Sequence, residues 1–211
     1  MAIIELKEIN KKFGDKEILK QFNLVVEQGD YLSIMGESGK GKTTLLNIIG
    51  MLEVPDSGNV TVCGQRNARF ISNKTRKIRR SELSYLFQNY GLMENETVEE
   101  NLQLSLRFKK MNRYKKRRKI AQALNRVGLS GLENRKVFTL SGGEQQRVAL
   151  AKIILKDPKI ILADEPTGSL DKKNRDYVLD IIGELNQLGK TVIMVTHDSE
   201  VAACANRHIY L

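Results

Sequence analysis

Eight consecutive residues, Gly36, Glu37, Ser38, Gly39, Lys40, Gly41, Lys42 and Thr43, match the pattern G-x-x-x-x-G-K-[ST] and constrain this chain more than any other stretch. Such a segment has a use only when a buried strand delivers it and a helix begins directly after it. Both neighbours are present: Tyr31 to Met35 reads as a short buried strand, and Thr44 to Ile49 as the start of an apolar helix. Glycines let the backbone turn tightly enough for successive N–H groups to point inward at a β-phosphate, and the helix N-terminus adds its partial positive charge. Lys42 is then placed to meet the β- and γ-phosphate oxygens, and the Thr43 hydroxyl to hold Mg²⁺. The segment predicts nucleoside triphosphate binding within an α/β architecture.

The 211 residues suffice for one domain with a proper core. No run approaches the roughly eighteen apolar residues of a membrane span, and Met1 to Asn10 alternates Ile and Leu with charged residues instead of forming a signal peptide. The chain is expected to be soluble and cytoplasmic. Cys63 and Cys204 lack metal-type spacing and are expected to be reduced thiols with no catalytic or zinc role. The formal net charge is +10, with much of the excess in Arg66 to Arg80 and Arg107 to Lys119. Such runs suit a polyanion, either nucleic acid or an anionic membrane face, or else a solvated helix face. Phe108 and Tyr114 interrupt the second run at a spacing that reads as helix packing rather than base stacking.

Along the chain, Ala2 to Ile9 predicts an edge-region strand and Phe22 to Glu27 its partner, with Lys12, Phe13, Gly14 and Asp15 in the loop between them. Val54 to Gly58 is a turn cluster, followed by strands at Asn59 to Cys63 and Ser84 to Phe87, the latter ending at Gln88. From Asn89 to Val137, Val98, Leu102, Leu104 and Leu106, then Ile120, Ala123, Leu124 and Val127, recur at helical spacing and predict a helical insertion, within which Gly128 fits a helix stop. Ser141 is placed to cap a helix from Glu144 to Leu155. Strands at Ile160 to Ala163 and Thr191 to Val195, with a helix from Lys173 to Leu188 between them, predict a parallel sheet covered on both faces.

The strand Ile160 to Ala163 delivers Asp164 and Glu165 at its C-terminal end, where ligands sit in open α/β sheets. Asp164 is placed to hold Mg²⁺, directly or through water, and Glu165 to polarise an attacking water. Together with Leu140-Ser141-Gly142-Gly143-Glu144, Gln88, Ser169-Leu170-Asp171 and His197, these motifs run in the order found in the nucleotide-binding subunit of ABC transporters, which the chain closely resembles over essentially its whole length.

That resemblance implies a P-loop NTPase core with a mainly parallel sheet, an antiparallel N-terminal β layer and a helical subdomain. It makes 1–211 one ABC ATPase domain, with 1–88 and 138–211 as RecA-like core and β layer and 89–137 as the helical subdomain. It implies that ATP and Mg²⁺ are bound between two copies in a head-to-tail dimer, each nucleotide held by the phosphate loop of one copy and the LSGG segment of the other. Ser141 and the N–H groups of Gly142 and Gly143 at a helix N-terminus form a second anion site, which explains why. The implied nucleotide contacts are Phe13, stacking on adenine; Gly36, Glu37, Ser38, Gly39, Lys40, Gly41, Lys42, Thr43 and Thr44; Ser141, Gly142, Gly143 and Glu144; and Asp171 across the interface. Glu37 and Lys40 occupy freely variable positions, and Glu144 stands where the family more often has Gln. Glu165, His197 and Gln88 are the implied catalytic residues, and Thr43, Gln88 and Asp164 the metal-holding ones.

The segments Ala163 to Asp171, Leu140 to Lys152 and Val195 to Arg207 are most similar to the macrolide-exporter and lipoprotein-release branch. Tyr85 to Leu102 looks, more narrowly, like ATPases of bacteriocin or antimicrobial-peptide exporters of Gram-positive bacteria. The expected partner is a separate membrane permease docking near Gln88 to Leu102, with an adaptor protein reached through it, at the cytoplasmic face of the membrane. Two rival expectations are a cell-division ATPase that signals without transport and a soluble nucleic-acid-associated ABC ATPase; no nucleic-acid partner is expected.

Overall fold

The computed structural model describes residues 1–66 and 72–211, so residues 67–71 of the first basic run lie outside the described residues. The chain begins with β1 (Ala2–Phe13), β2 (Lys16–Glu27) and β3 (Tyr31–Met35), followed by α1 (Lys42–Ile49). Next come β4 (Ser57–Val62), β5 (Gln65–Arg66), α2 (Asn73–Ser81), β6 (Leu83–Leu86), α3 (Val98–Ser105) and α4 (Arg113–Arg126). The remainder is α5 (Gly142–Lys156), β7 (Ile160–Asp164), α6 (Lys172–Gln187), β8 (Thr191–Val195), α7 (Ser199–Ala202) and β9 (Arg207–Tyr210).

Two sheets organise these elements. The N-terminal one is antiparallel, in the order β2-β1-β4-β5. The other is parallel throughout, in the order β6-β7-β8-β3-β9. Side chains on a strand alternate between faces, and here the alternation divides two cores. Ile160, Leu162, Ile193 and Val195 join α1 and the antiparallel layer, whereas Ile161, Ala163, Val192 and Met194 join α3, α4, α5 and α6. The parallel sheet is therefore the wall between both cores, and its uninterrupted apolar strands are what burial on two faces requires.

Several expectations need correction. β1 is no edge strand, because β2 and β4 flank it on both sides. Its hairpin turn is only Gly14 and Asp15; Lys12 and Phe13 pair with Glu17 and Lys16. Polar side chains obscured this pairing in the sequence: Asn10 and Asn23 bond the backbone at Glu8 and Gln21, two non-glycine residues with positive φ that kink the long strands. Leu104 is exposed, while Val98, Leu102 and Leu106 are buried. The helix capped by Ser141 starts at Gly142 instead of Glu144. Helix α2 lies inside the first basic run, where a charge pattern concealed it; Ser72 caps it and Thr75 and Ile78 form its buried stripe. Phe108 and Tyr114 do not pack: they are 62% and 75% exposed, and the Phe108 ring sits 4.5 Å from the Arg80 guanidinium. Stacking against a cation replaces burial there.

Leu102 is fully buried where α3 meets α5 and the parallel sheet. Leu102→Ala is expected to destabilise the fold by about 2–5 kcal/mol, read as a lower denaturant midpoint at unchanged slope.

Candidate active site

The site lies where three strands of the parallel sheet end level. Ile34 pairs with Val195 and Val195 with Asp164. Consequently the loop after β3, the Asp164–Glu165 pair after β7 and the Thr196–His197 pair after β8 all emerge along one carboxyl edge. They surround a cleft of about 390 Å³ whose lining includes Lys42, Thr43, Gln88, Asp164, Glu165 and His197.

The loop is held open by conformation. Gly39 and Gly41 have φ of +78° and +93°, and a Cβ on Gly41 would stand 2.3 Å from Ile18 Cγ2, so a side chain at Gly41 meets both strain and a clash. Helix α1 starts at Lys42 without a side-chain cap and with no acidic residue in its first turn. Every other α-helix among the described residues carries a side-chain cap. The first N–H groups of α1 are thus free for an anion. The buried Lys42 ammonium donates to the carbonyls of Gly36 at 2.7 Å and Glu37 at 2.8 Å.

Across the cleft the Thr43 hydroxyl donates to Asp164 Oδ1 at 3.2 Å. Burial raises the Asp164 pKa above the usual carboxylate value and the neighbouring Glu165 adds to this, while the Thr43 hydrogen bond and Lys42 oppose it. A half-desolvated carboxylate beside a hydroxyl suits a hard cation, and Gln88, which lines the same cleft, carries an amide oxygen of the kind Mg²⁺ takes. Among the described residues there is no cluster of three or more His, Cys, Asp or Glu able to hold a metal unaided. A Mg²⁺ ion here fits an arrangement in which phosphate oxygens and water complete its shell.

Glu165 has φ of +45°, a strained value for a residue with a Cβ, and its N–H donates to Val195 O at 3.0 Å. Its side chain is 16% exposed and bonds His197 Nδ1 at 2.8 Å, whereas His197 is 72% exposed. The strained turn aims the carboxylate into the cleft, and the ring holds it there.

The other expected contacts lie outside this cleft. Phe13 ends β1, half exposed, with Lys11 Nζ 5.0 Å from its ring centre. Ser141 and Glu144 form a reciprocal cap: the Ser141 N–H and hydroxyl donate to Glu144 Oε2 at 2.8 and 2.9 Å, and Glu144 N–H returns a bond to Ser141 Oγ at 3.3 Å. These bonds hold the Glu144 pKa below its usual value. Asp171 caps α6 through Asn174, whose side chain bonds Arg147 and stands 2.6 Å from where a Cβ on Gly143 would lie. Tyr90 Oη meets Ser169 Oγ at 3.3 Å and fills the space a Cβ on Gly142 would need. Gln146, buried in α5, bonds the Pro166 carbonyl and so ties that helix to the segment after Glu165. The sequence reading missed Ile18 and Val195 as cleft-lining residues. Ile18 announced itself only through Gly41, which leaves it room.

A family model described as ABC transporter matches residues 19–168. The chain belongs to the ABC transporter family. The matched stretch includes the phosphate loop, Gln88, Asp164 and Glu165. The Bacillus subtilis ABC transporter ATP-binding protein YvrO, of uncharacterised function, is 39% identical over 99% of this chain and 93% of its own length. The macrolide export ATP-binding/permease protein MacB of Mannheimia succiniciproducens is 40% identical, and this chain spans about a third of that protein. Among solved structures, a dimer of the bacterial ABC transporter cassette MJ0796 has a TM-score of 0.90 at 40% identity, covering 99% of this chain and 94% of that one. A second dimeric MJ0796 structure, in a post-hydrolysis state bound to ADP and Pi, matches at TM-score 0.90 and 39% identity. No helix among the described residues is long and apolar enough to cross a membrane.

Proposed function

We propose that two copies of this ABC cassette close head to tail on two ATP·Mg²⁺ and drive a separate membrane subunit that exports a peptide or hydrophobic compound. The observation that carries the dimer is the division of the anion-binding elements. The phosphate loop, Asp164, Glu165 and His197 line one cleft, whereas Ser141, Gly142 and Gly143 present their own helix N-terminus elsewhere on the chain. A second copy would bring the missing half. The dimeric MJ0796 structures and the export function named for MacB support the assembly and the output.

On this reading the free N–H groups at the start of α1 bind the β-phosphate, and Lys42 exchanges its two carbonyls for phosphate oxygens. Thr43, Asp164 and Gln88 would hold Mg²⁺, which when bound neutralises phosphate charge. Glu165 accepts a proton from the water whose oxygen forms the new bond to the γ-phosphorus as the bond to ADP breaks. His197 keeps the carboxylate aimed. Gln88, on the segment leading into α3, reports the state of the cleft to the membrane subunit, which docks near Gln88 to Leu102 at the cytoplasmic face.

Ser141→Ala is expected to weaken ATP-dependent dimerisation about tenfold or more while binding of ATP to a single subunit persists. Sedimentation at graded ATP concentrations measures the first and fluorescent-nucleotide titration the second. The lost cap costs about 1 kcal/mol of stability, checked by a thermal melt. ATP-driven dimerisation equal to the parent would remove Ser141 from the shared site.

A further inference from the structure

A second groove is separate from the nucleotide cleft. It measures about 800 Å³ and runs between α2 and β6 on one side and α3 and α5 on the other. Its apolar lining includes Tyr85, Phe87, Leu104, Phe108 and Ile153, with Phe87, Leu104 and Phe108 exposed. Its cations are Arg76, Arg79, Arg80, Lys109, Lys152 and Lys156, and among the described residues no carboxylate lines it.

The lysines are the informative part. Lys109, Lys152 and Lys156 donate to the backbone carbonyls of Leu155, Gly91 and Arg79 at 2.9, 2.7 and 2.8 Å. None of the three has an ion-pair partner among the described residues, whereas Lys159, close to the same face, pairs with Glu82. Burial lowers the Lys152 pKa, and burial followed by the charge of Lys152 pulls that of Lys156 down to about 8. Two half-desolvated ammonium groups one turn apart on α5 repel each other along one wall of an apolar trough, an arrangement that a carboxylate relieves.

We infer that the groove accepts an acidic amphipathic segment of the membrane subunit, whose apolar side chains enter between Leu104, Phe108 and Ile153 while a carboxylate reaches Lys152 and Lys156. The inference rests on the proposed docking of a membrane subunit near Gln88 to Leu102 and adds the chemistry of what docks. The apolar lining of the trough suits a peptide helix better than a lipid headgroup, which offers charge without a side-chain ridge.

The test uses the full chain and fluorescein-labelled helical peptides that carry one leucine face and differ only in having Glu, Gln or Lys beside it. At 0.15 M salt the Glu peptide is expected to bind about tenfold more tightly than the Gln peptide, a difference that vanishes in the Lys152→Gln, Lys156→Gln double variant. Lys156→Glu should invert the order in favour of the Lys peptide. A carboxylate paired with Lys156 raises the pKa of that ammonium, so the Glu peptide should take up protons on binding near pH 8.5 and lose affinity as pH rises above 8. Calorimetry in buffers of different ionisation heat reads this uptake, and Lys156→Gln should abolish it. Equal binding of the Glu and Gln peptides, binding of neither, or lysine-dependent binding to phosphatidylglycerol vesicles without peptide preference would each overturn the inference. A photo-crosslinker at Leu104 in assembled membranes keeps the docking reading separate. Absence of a crosslink to a membrane protein defeats docking itself, whereas a crosslink alongside equal peptide binding defeats only the charge preference.

Discussion

Glu165→Gln is expected to lower steady-state ATP hydrolysis by about 10²- to 10⁴-fold while leaving ATP affinity within a few-fold of the parent. The amide has the shape of the carboxylate and still bonds the His197 ring, and it inherits the same positive φ at the end of β7. Fold and cleft therefore change little. What is lost is the capacity to take the water's proton, because an amide oxygen is far too weak a base. Nucleotide enters, the subunits close, and the step that would reopen them fails, so an ATP-bound dimer should accumulate. Phosphate release measures the first effect and size-exclusion chromatography with ATP the second. Full ATPase activity in the variant would remove Glu165 as the base.

Lys42→Ala is expected to weaken ATP binding by more than about a hundredfold. Charge-assisted hydrogen bonds contribute about 1.5–3 kcal/mol each, and Lys42 is proposed to make two to phosphate oxygens. The nucleotide-free protein should melt close to the parent temperature, since the carbonyls of Gly36 and Glu37 released by the change lie in a loop open to water. The contrast appears on adding ATP: the parent gains about 2.7 kcal/mol at a ligand concentration one hundred times its dissociation constant, and the variant gains almost nothing. A parent-like ATP-induced shift in melting temperature would show that the ammonium is dispensable.

Much of this site was legible in the residues, for a local reason. Gly36 to Thr43 is a tight loop shaped by its own glycines, and the strand before it and that strand's sheet neighbour β8 are short apolar runs bounded by breakers. Tyr31–Met35 and Thr191–Val195 occur where the pattern put them. Elements that depend on partners were harder to see. Helix α2 has only Thr75 and Ile78 as its buried face within nine residues, too sparse a stripe to separate from a solvated basic run. Strand β9 is exposed along most of its length and owes its pairing to β3, to which no local feature points. Glu165 was identified by its neighbours rather than by its backbone, and its positive φ has no signature in the residue type. The same holds for Ile18, brought to the cleft by a hairpin whose register asparagine side chains control.

Tyr90 belongs to three surfaces at once. It lines the basic groove, its hydroxyl meets Ser169 two residues before Asp171, and its ring occupies the space beside Gly142 at the start of α5. It also sits at φ of +62°, a backbone value that a tyrosine holds only when its surroundings require it. On the proposed reading, the start of α5 that meets the other copy's nucleotide and the groove that seats the membrane partner both touch Tyr90. With no side chain at Gly142 between them, a shift of that ring would bear directly on the backbone that starts α5.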